Sequence, residues 1–158
     1  MSINHKSINI GMLILSVVCL YAAYIMEYLF QILPCPLCVY QRFPFLIWVV
    51  AAIIGYAGSF IPKKTYVITS VFAIILASYH TGVEFGIFEM SSFCKPLVLI
   101  NDNLSISDFR QMIYNSTQTP SCNKPAFLFL GLSLASWNLI FNLFVITIIT
   151  FTKPENRN

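Results

Sequence analysis

Four apolar runs, each about as long as a bilayer crossing, constrain this chain more than any other feature. They cover residues 10–30, 43–61, 66–88 and 126–152, against the ~20 residues a membrane-spanning helix needs. In hydrocarbon no water satisfies backbone N–H and C=O groups, so runs of this kind fold as helices. Only 9% of residues are charged and 58% are hydrophobic, whereas a soluble domain is roughly a quarter charged. The net charge of +3 is small and scattered, which argues against nucleic acid as a partner. The fold class expected is an all-α membrane protein, a single domain of residues 1–158 built as a four-transmembrane-helix bundle. Its first apolar run continues past Cys19 to Phe30, longer than the ~7–15 residues of a signal-peptide core. An uncleaved first helix is expected.

Orientation follows from the cations near the helix ends. Lys6, Lys63, Lys64, Lys153 and Arg157 fall on one side, and Arg42, Lys95, Arg110 and Lys124 on the other. The bias places both termini in the cytoplasm. Two spans separate the loops 31–42 and 89–125, so these loops share the opposite, non-cytoplasmic face. Pro44 suits the first turn of the second helix, where its missing N–H is not needed.

That face carries Cys35, Cys38, Cys94 and Cys122, while Cys19 lies alone in the first span and is expected to pack as a small hydrophobe. Three uses compete for the four cysteines. Zinc sites of four cysteines usually employ two closely spaced pairs, and Cys94 and Cys122 are far apart, so no metal is expected. Structural staples suit an oxidising compartment, but a CxxC disulfide closes a tiny loop and constrains the unfolded chain little. A redox centre accounts for more. Short-ring CxxC pairs are reactive where a cation or a helix terminus favours a thiolate. Arg42 lies about one turn beyond Cys38, where the second helix begins.

Electrons leaving such a centre need an acceptor. In "SYHTGVEFGIFE" His80 and Glu84 share one helical face in the outer leaflet, at the depth of Cys38 and Arg42. Ionisable groups there are costly and usually functional. His80 is expected either to bond Glu84 or to donate to a flat, lipid-soluble acceptor such as a quinone. Gly82 and Gly86 form a GxxxG step, which reads as close helix packing. In the second loop, "SISDFRQMIY" has the pattern of a short amphipathic helix lying on the membrane surface.

"CPLCVYQR" (residues 35–42), the intramembrane His80, the distal cysteines Cys94 and Cys122, and "GLSLASWNLIFN" in the fourth span together resemble the disulfide bond formation protein B (DsbB) family. The likeness covers nearly the whole chain. It implies a bacterial inner-membrane thiol:quinone oxidoreductase with its active cysteines on the periplasmic side. Its partner would be a periplasmic thioredoxin-fold, DsbA-like oxidase, and its cofactor ubiquinone or menaquinone. Cys94 would take the mixed disulfide with the partner, and the Cys94/Cys122 pair would pass electrons to Cys35/Cys38. Cys38, Arg42 and His80 would hold the quinone. The compact distal loop departs from the larger-loop, DsbI-like branch. A vitamin K epoxide reductase-like enzyme is the alternative, but that family places its CxxC after the loop cysteines. A disulfide-stapled or metal-binding membrane protein is the non-enzymatic one.

Overall fold

The computed structural model describes residues 2–3, 5–58, 61–91, 94 and 120–154. Its elements run β1 (Ser2–Ile3), α1 (His5–Tyr28), α2 (Pro36–Tyr40), α3 (Phe43–Tyr56), α4 (Lys63–Glu84), β2 (Leu128–Phe129), β3 (Leu132–Ser133), α5 (Leu134–Phe151) and β4 (Lys153–Pro154). Among the described residues, four segments are long and apolar enough to cross a membrane: Ser7–Tyr28, Pro36–Tyr56, Lys63–Glu84 and Leu134–Phe151. The four-span helical bundle expected from hydropathy is therefore present. The amphipathic segment expected at 105–114 lies outside the described residues.

Element ends differ from hydropathy where backbone chemistry intervenes. The second span starts before Phe43, because Pro36 opens a helical turn that Cys35 caps: the Cys35 sulfur accepts from the Cys38 N–H at 3.3 Å. Cys38 is thus built into the head of a span, with Cys35 capping it from just outside. At the far end, the fourth helix begins at Leu134 and not at Ala126. Leu130 and Gly131 take positive φ (53° and 79°) and turn the apolar run into a β2–β3 hairpin. Ser133 then caps α5, its Oγ accepting from the Ser136 N–H at 3.1 Å.

Gly82 and Gly86 end a helix; they do not pack two together. Gly86 adopts φ 72°, its N–H reaches the Val83 carbonyl at 3.1 Å, and Ile87 N–H reaches the Gly82 carbonyl at 2.8 Å. These are the paired bonds of a Schellman stop. Phe88 folds back so tightly that a Cβ on Gly82 would meet its ring at 2.3 Å. Glycine at 82 makes room for the turn that carries the chain toward Cys94.

The core is narrow and lies within the bundle. Trp48, Phe45, Tyr66, Met12, Leu20, Val145 and Ile149 pack together, and Trp48 Nε1 donates to Thr69 Oγ1 at 2.6 Å. α1 approaches α3 closely at Gly55, where a Cβ would collide with Asn9 at 2.2 Å; Asn9 in turn accepts from the Tyr66 hydroxyl at 2.9 Å. Ile14, Val18, Ile68, Ile75 and Phe144 point outward, as expected of side chains solvated by lipid. At one end of the bundle β1 pairs in parallel with β4, and Lys63 Nζ donates to the Thr152 and Thr150 carbonyls at 2.7 and 3.2 Å, closing the end of α5. All four loop cysteines lie at the other end.

Candidate redox site

Packing brings the sequence-distant cysteines into one buried cluster: Cys35, Cys94 and Cys122 with Leu37 and Val83, flanked by Cys38, Tyr79 and Met90. Cys35 and Cys38 face each other at Sγ–Sγ 3.0 Å. Cys122 is fully buried, with Cys94, the Leu37 N–H and Cys35 as its neighbours. Cys94 is 2% exposed. Outside the spans, these thiols resist ionisation. The hydrogen bond to Cys38, with burial behind it, pushes Cys35 up to about 12, while His80 pulls the other way. Burial pushes Cys94 up to about 12 and raises Cys122 as well.

His80 stands over this cluster, 2% exposed. Its Nε2 lies 3.5 Å from Cys35 Sγ and 3.7 Å from Glu84 Oε1, and its Nδ1 lies 3.0 Å from the Gln41 amide. Glu84 also accepts from Ser133 Oγ, which ties the end of α4 to the start of α5. The Cys35, Cys38 and His80 donor atoms sit within 4.8 Å of one another, a spacing that would also suit a thiophilic cation.

A second feature opens beside the cluster. A cavity of about 360 Å³ lies between α1 and α5, and Cys38, Gln41, Arg42 and Asn138 line it among predominantly apolar side chains. Its size falls within the ~300–1,000 Å³ of small-molecule sites, and an apolar wall with a few placed polar groups is the usual design of such sites. Cys19, expected only to pack, also forms part of the wall. His80 is not among its lining residues and faces Cys35 and Gln41 instead.

Arg42 shares the cavity with Cys38, but its charge is already engaged. Its Nη1 donates to Glu27 Oε2 at 2.6 Å, and the guanidinium lies 5.0 Å from the centre of the Tyr24 ring. Sequence reasoning missed Glu27, although an acid near the end of an otherwise apolar span was the available signal. It also missed Gln41, Asn138 and Asn142. An amide in or beside an apolar helix was the available signal for each.

The family described as Disulfide bond formation protein DsbB matches residues 5–152. Among curated relatives, an uncharacterized protein of Rickettsia prowazekii (strain Madrid E) is 36% identical over 97% of this chain and 92% of its own length. Proteins named Disulfide bond formation protein B are 30% identical in Xanthomonas campestris pv. campestris (strain 8004) and in Xanthomonas oryzae pv. oryzae (strain MAFF 311018). Each of those matches covers 76% of this chain and 73% of the relative. No solved structure matches the chain. With four spans and a clustered set of four cysteines, the chain belongs to the disulfide bond formation protein B family, as a multi-pass membrane disulfide oxidoreductase.

Proposed function

We propose that this protein reoxidises a periplasmic thioredoxin-fold, DsbA-like oxidase and delivers the electrons to a membrane quinone. The observation that carries this reading is the shared burial of Cys35, Cys94 and Cys122 with Cys38 on their flank, Cys38 also lining the apolar cavity. One residue therefore borders both a thiol relay and a lipid-side pocket.

The relay balances as successive thiol–disulfide exchanges. The partner's thiolate attacks Cys94 in a Cys94–Cys122 disulfide, and Cys122 leaves with the electron pair. The partner's second thiol then attacks the mixed disulfide and releases Cys94. Cys122 attacks Cys35 of a Cys35–Cys38 disulfide, which expels Cys38 toward the cavity. Cys94 finally attacks Cys122, restoring the distal disulfide and freeing Cys35. Cys94 is 2% exposed, so the partner's attack requires its sulfur to become accessible.

The cavity residues fit a quinone: the walls are predominantly apolar, and Cys38, Arg42, Gln41 and Asn138 are the polar groups among them. A bound ubiquinone or menaquinone supplies the acceptor for two electrons and two protons. Cys38 presents its sulfur to the pocket, and Cys35 closes the disulfide behind it. Arg42, held by Glu27, keeps a cation where negative charge develops. With both termini cytoplasmic, the cysteine end of the bundle faces the periplasm.

The test is quinone reduction by the purified protein, followed by absorbance, with a reduced thioredoxin-fold oxidase as donor. Turnover that disappears in Cys38→Ser and in Cys94→Ser supports the reading. Turnover that persists in Cys38→Ser, or its absence in the wild type with either quinone, overturns it.

A further inference from the structure

A line of three amides runs from the middle of α5 to His80, and its direction is fixed at the far end. Asn142 Nδ2 lies 2.9 Å from the Asn138 backbone carbonyl and 2.8 Å from Asn138 Oδ1. A backbone carbonyl can only accept, so the Asn142 NH2 must point this way, and Asn138 Oδ1 is the acceptor beside it. The Asn138 NH2 then faces Gln41 Oε1, at 2.9 Å. That orientation turns the Gln41 NH2 toward His80 Nδ1, at 3.0 Å. Nδ1 must therefore accept, and in the neutral ring the proton sits on Nε2. Both groups facing Nε2 agree: Glu84 Oε1 at 3.7 Å is a carboxylate oxygen, and Cys35 Sγ lies at 3.5 Å.

We propose that Asn142, Asn138 and Gln41 act as positioning residues that lock His80 in its Nε2–H tautomer, so that His80 donates a hydrogen bond to Cys35 when that sulfur leaves Cys122. The inference rests on the relay proposed above. In the step concerned, Cys94 attacks the Cys122 sulfur of a Cys35–Cys122 disulfide. The Cys94–Cys122 bond forms, the Cys35–Cys122 bond breaks, and its electron pair stays on Cys35. His80 keeps its proton and lends a hydrogen bond to the new thiolate. A charge-assisted bond of this kind is stronger than a neutral one, and exchange is faster when the leaving sulfur is better stabilised. The site needs the help, since burial and the hydrogen bond to Cys38 both make a Cys35 thiolate costly. With the opposite tautomer, a nitrogen lone pair would face the leaving sulfur and repel it.

The chain has two histidines, so a His5→Gln variant carrying ring-15N histidine reports on His80 alone. NMR is expected to show a protonated Nε2 and an unprotonated Nδ1; a proton on Nδ1 overturns the proposal. Asn142 does not line the cavity, and Asn142→Leu removes the anchor of the chain. It is expected to admit the second tautomer. In a Cys38→Ser background holding the Cys35–Cys122 disulfide, it should also slow the appearance of alkylatable Cys35 about tenfold. Should Asn142→Leu not fold, Gln41→Met is read by the same two measurements. A single unchanged tautomer with an unchanged rate in the folded variant overturns the proposal. Neither measurement uses quinone, so failure of the quinone reading leaves this test intact.

Discussion

The Arg42–Glu27 pair makes a quantitative prediction that separates stability from cofactor use. The side chains are 15% and 21% exposed, with Nη1–Oε2 at 2.6 Å. Exposed ion pairs contribute about 0–1 kcal/mol, and removing one partner of a fully buried pair costs about 3–5 kcal/mol. This pair lies between those limits, so Glu27→Gln and Arg42→Gln should each cost ~2 kcal/mol. The double variant should cost less than the sum by on the order of 1 kcal/mol, because neither glutamine strands a charge. Thermal unfolding of the four proteins in detergent measures this coupling. Quinone kinetics divide the same variants differently. Arg42→Gln should raise the KM for quinone, Arg42→Lys should recover only part because a point charge lacks the planar fork, and Glu27→Gln should keep a cation at the cavity and leave KM near normal. Additive stability losses would refute the ion-pair argument. Unchanged KM in Arg42→Gln would leave Arg42 as an anchor on α1.

Three further outcomes are expected. Cys94→Ser should abolish trapping of the mixed disulfide with the partner while Cys35 and Cys38 still react with quinone; normal cycling of the partner by this variant would reverse the relay order. In the fully reduced protein, the hydrogen bond to Cys38 holds Cys35 at about 12 and burial holds Cys94 at about 12, both above the ordinary 9.0. The folded state therefore holds these protons more tightly than the unfolded chain. Their stabilisation is whole below pH 9 and is lost as pH rises toward 12. Alkaline melting curves should show this loss in the reduced protein and not in the disulfide form. Finally, a reporter fused after Asn158 should be active only as a cytoplasmic type, with the cysteine end accessible to thiol reagents from outside once reduced; the reverse pattern would invert the topology.

Hydropathy made the four spans legible because lipid imposes one requirement on every residue of a span. Local chemistry that runs against hydropathy escaped it. Residues 126–133 continue the apolar run of the fourth span, yet Leu130 and Gly131 bend them into a hairpin and delay α5 to Leu134. Gly82 and Gly86 carry a packing signature, and only the backbone shows them ending α4. The CxxC and Arg42 stood out as a candidate site because they lie within eight consecutive residues. Glu27 and Asn138 were not, since their partners come from other helices, Glu27 meeting Arg42 across α1 and α3 and Asn138 meeting Gln41 across 97 positions of sequence. His80 stood out in the sequence as an ionisable group in an apolar helix. Its neighbours, Cys35 and Gln41, followed only from how α2 and α4 pack.

The exchange between the two cysteine pairs is the central claim, and it is most directly tested by trapping. A Cys38→Ser/Cys94→Ser variant retains Cys35 and Cys122, which the fold holds in one buried cluster. Mild oxidation followed by proteolysis and mass spectrometry should yield a peptide cross-linked between Cys35 and Cys122, formed at the same rate when the protein is diluted. Recovery of both residues as separate alkylated thiols, or a cross-link that appears only between two copies of the chain, would contradict the account.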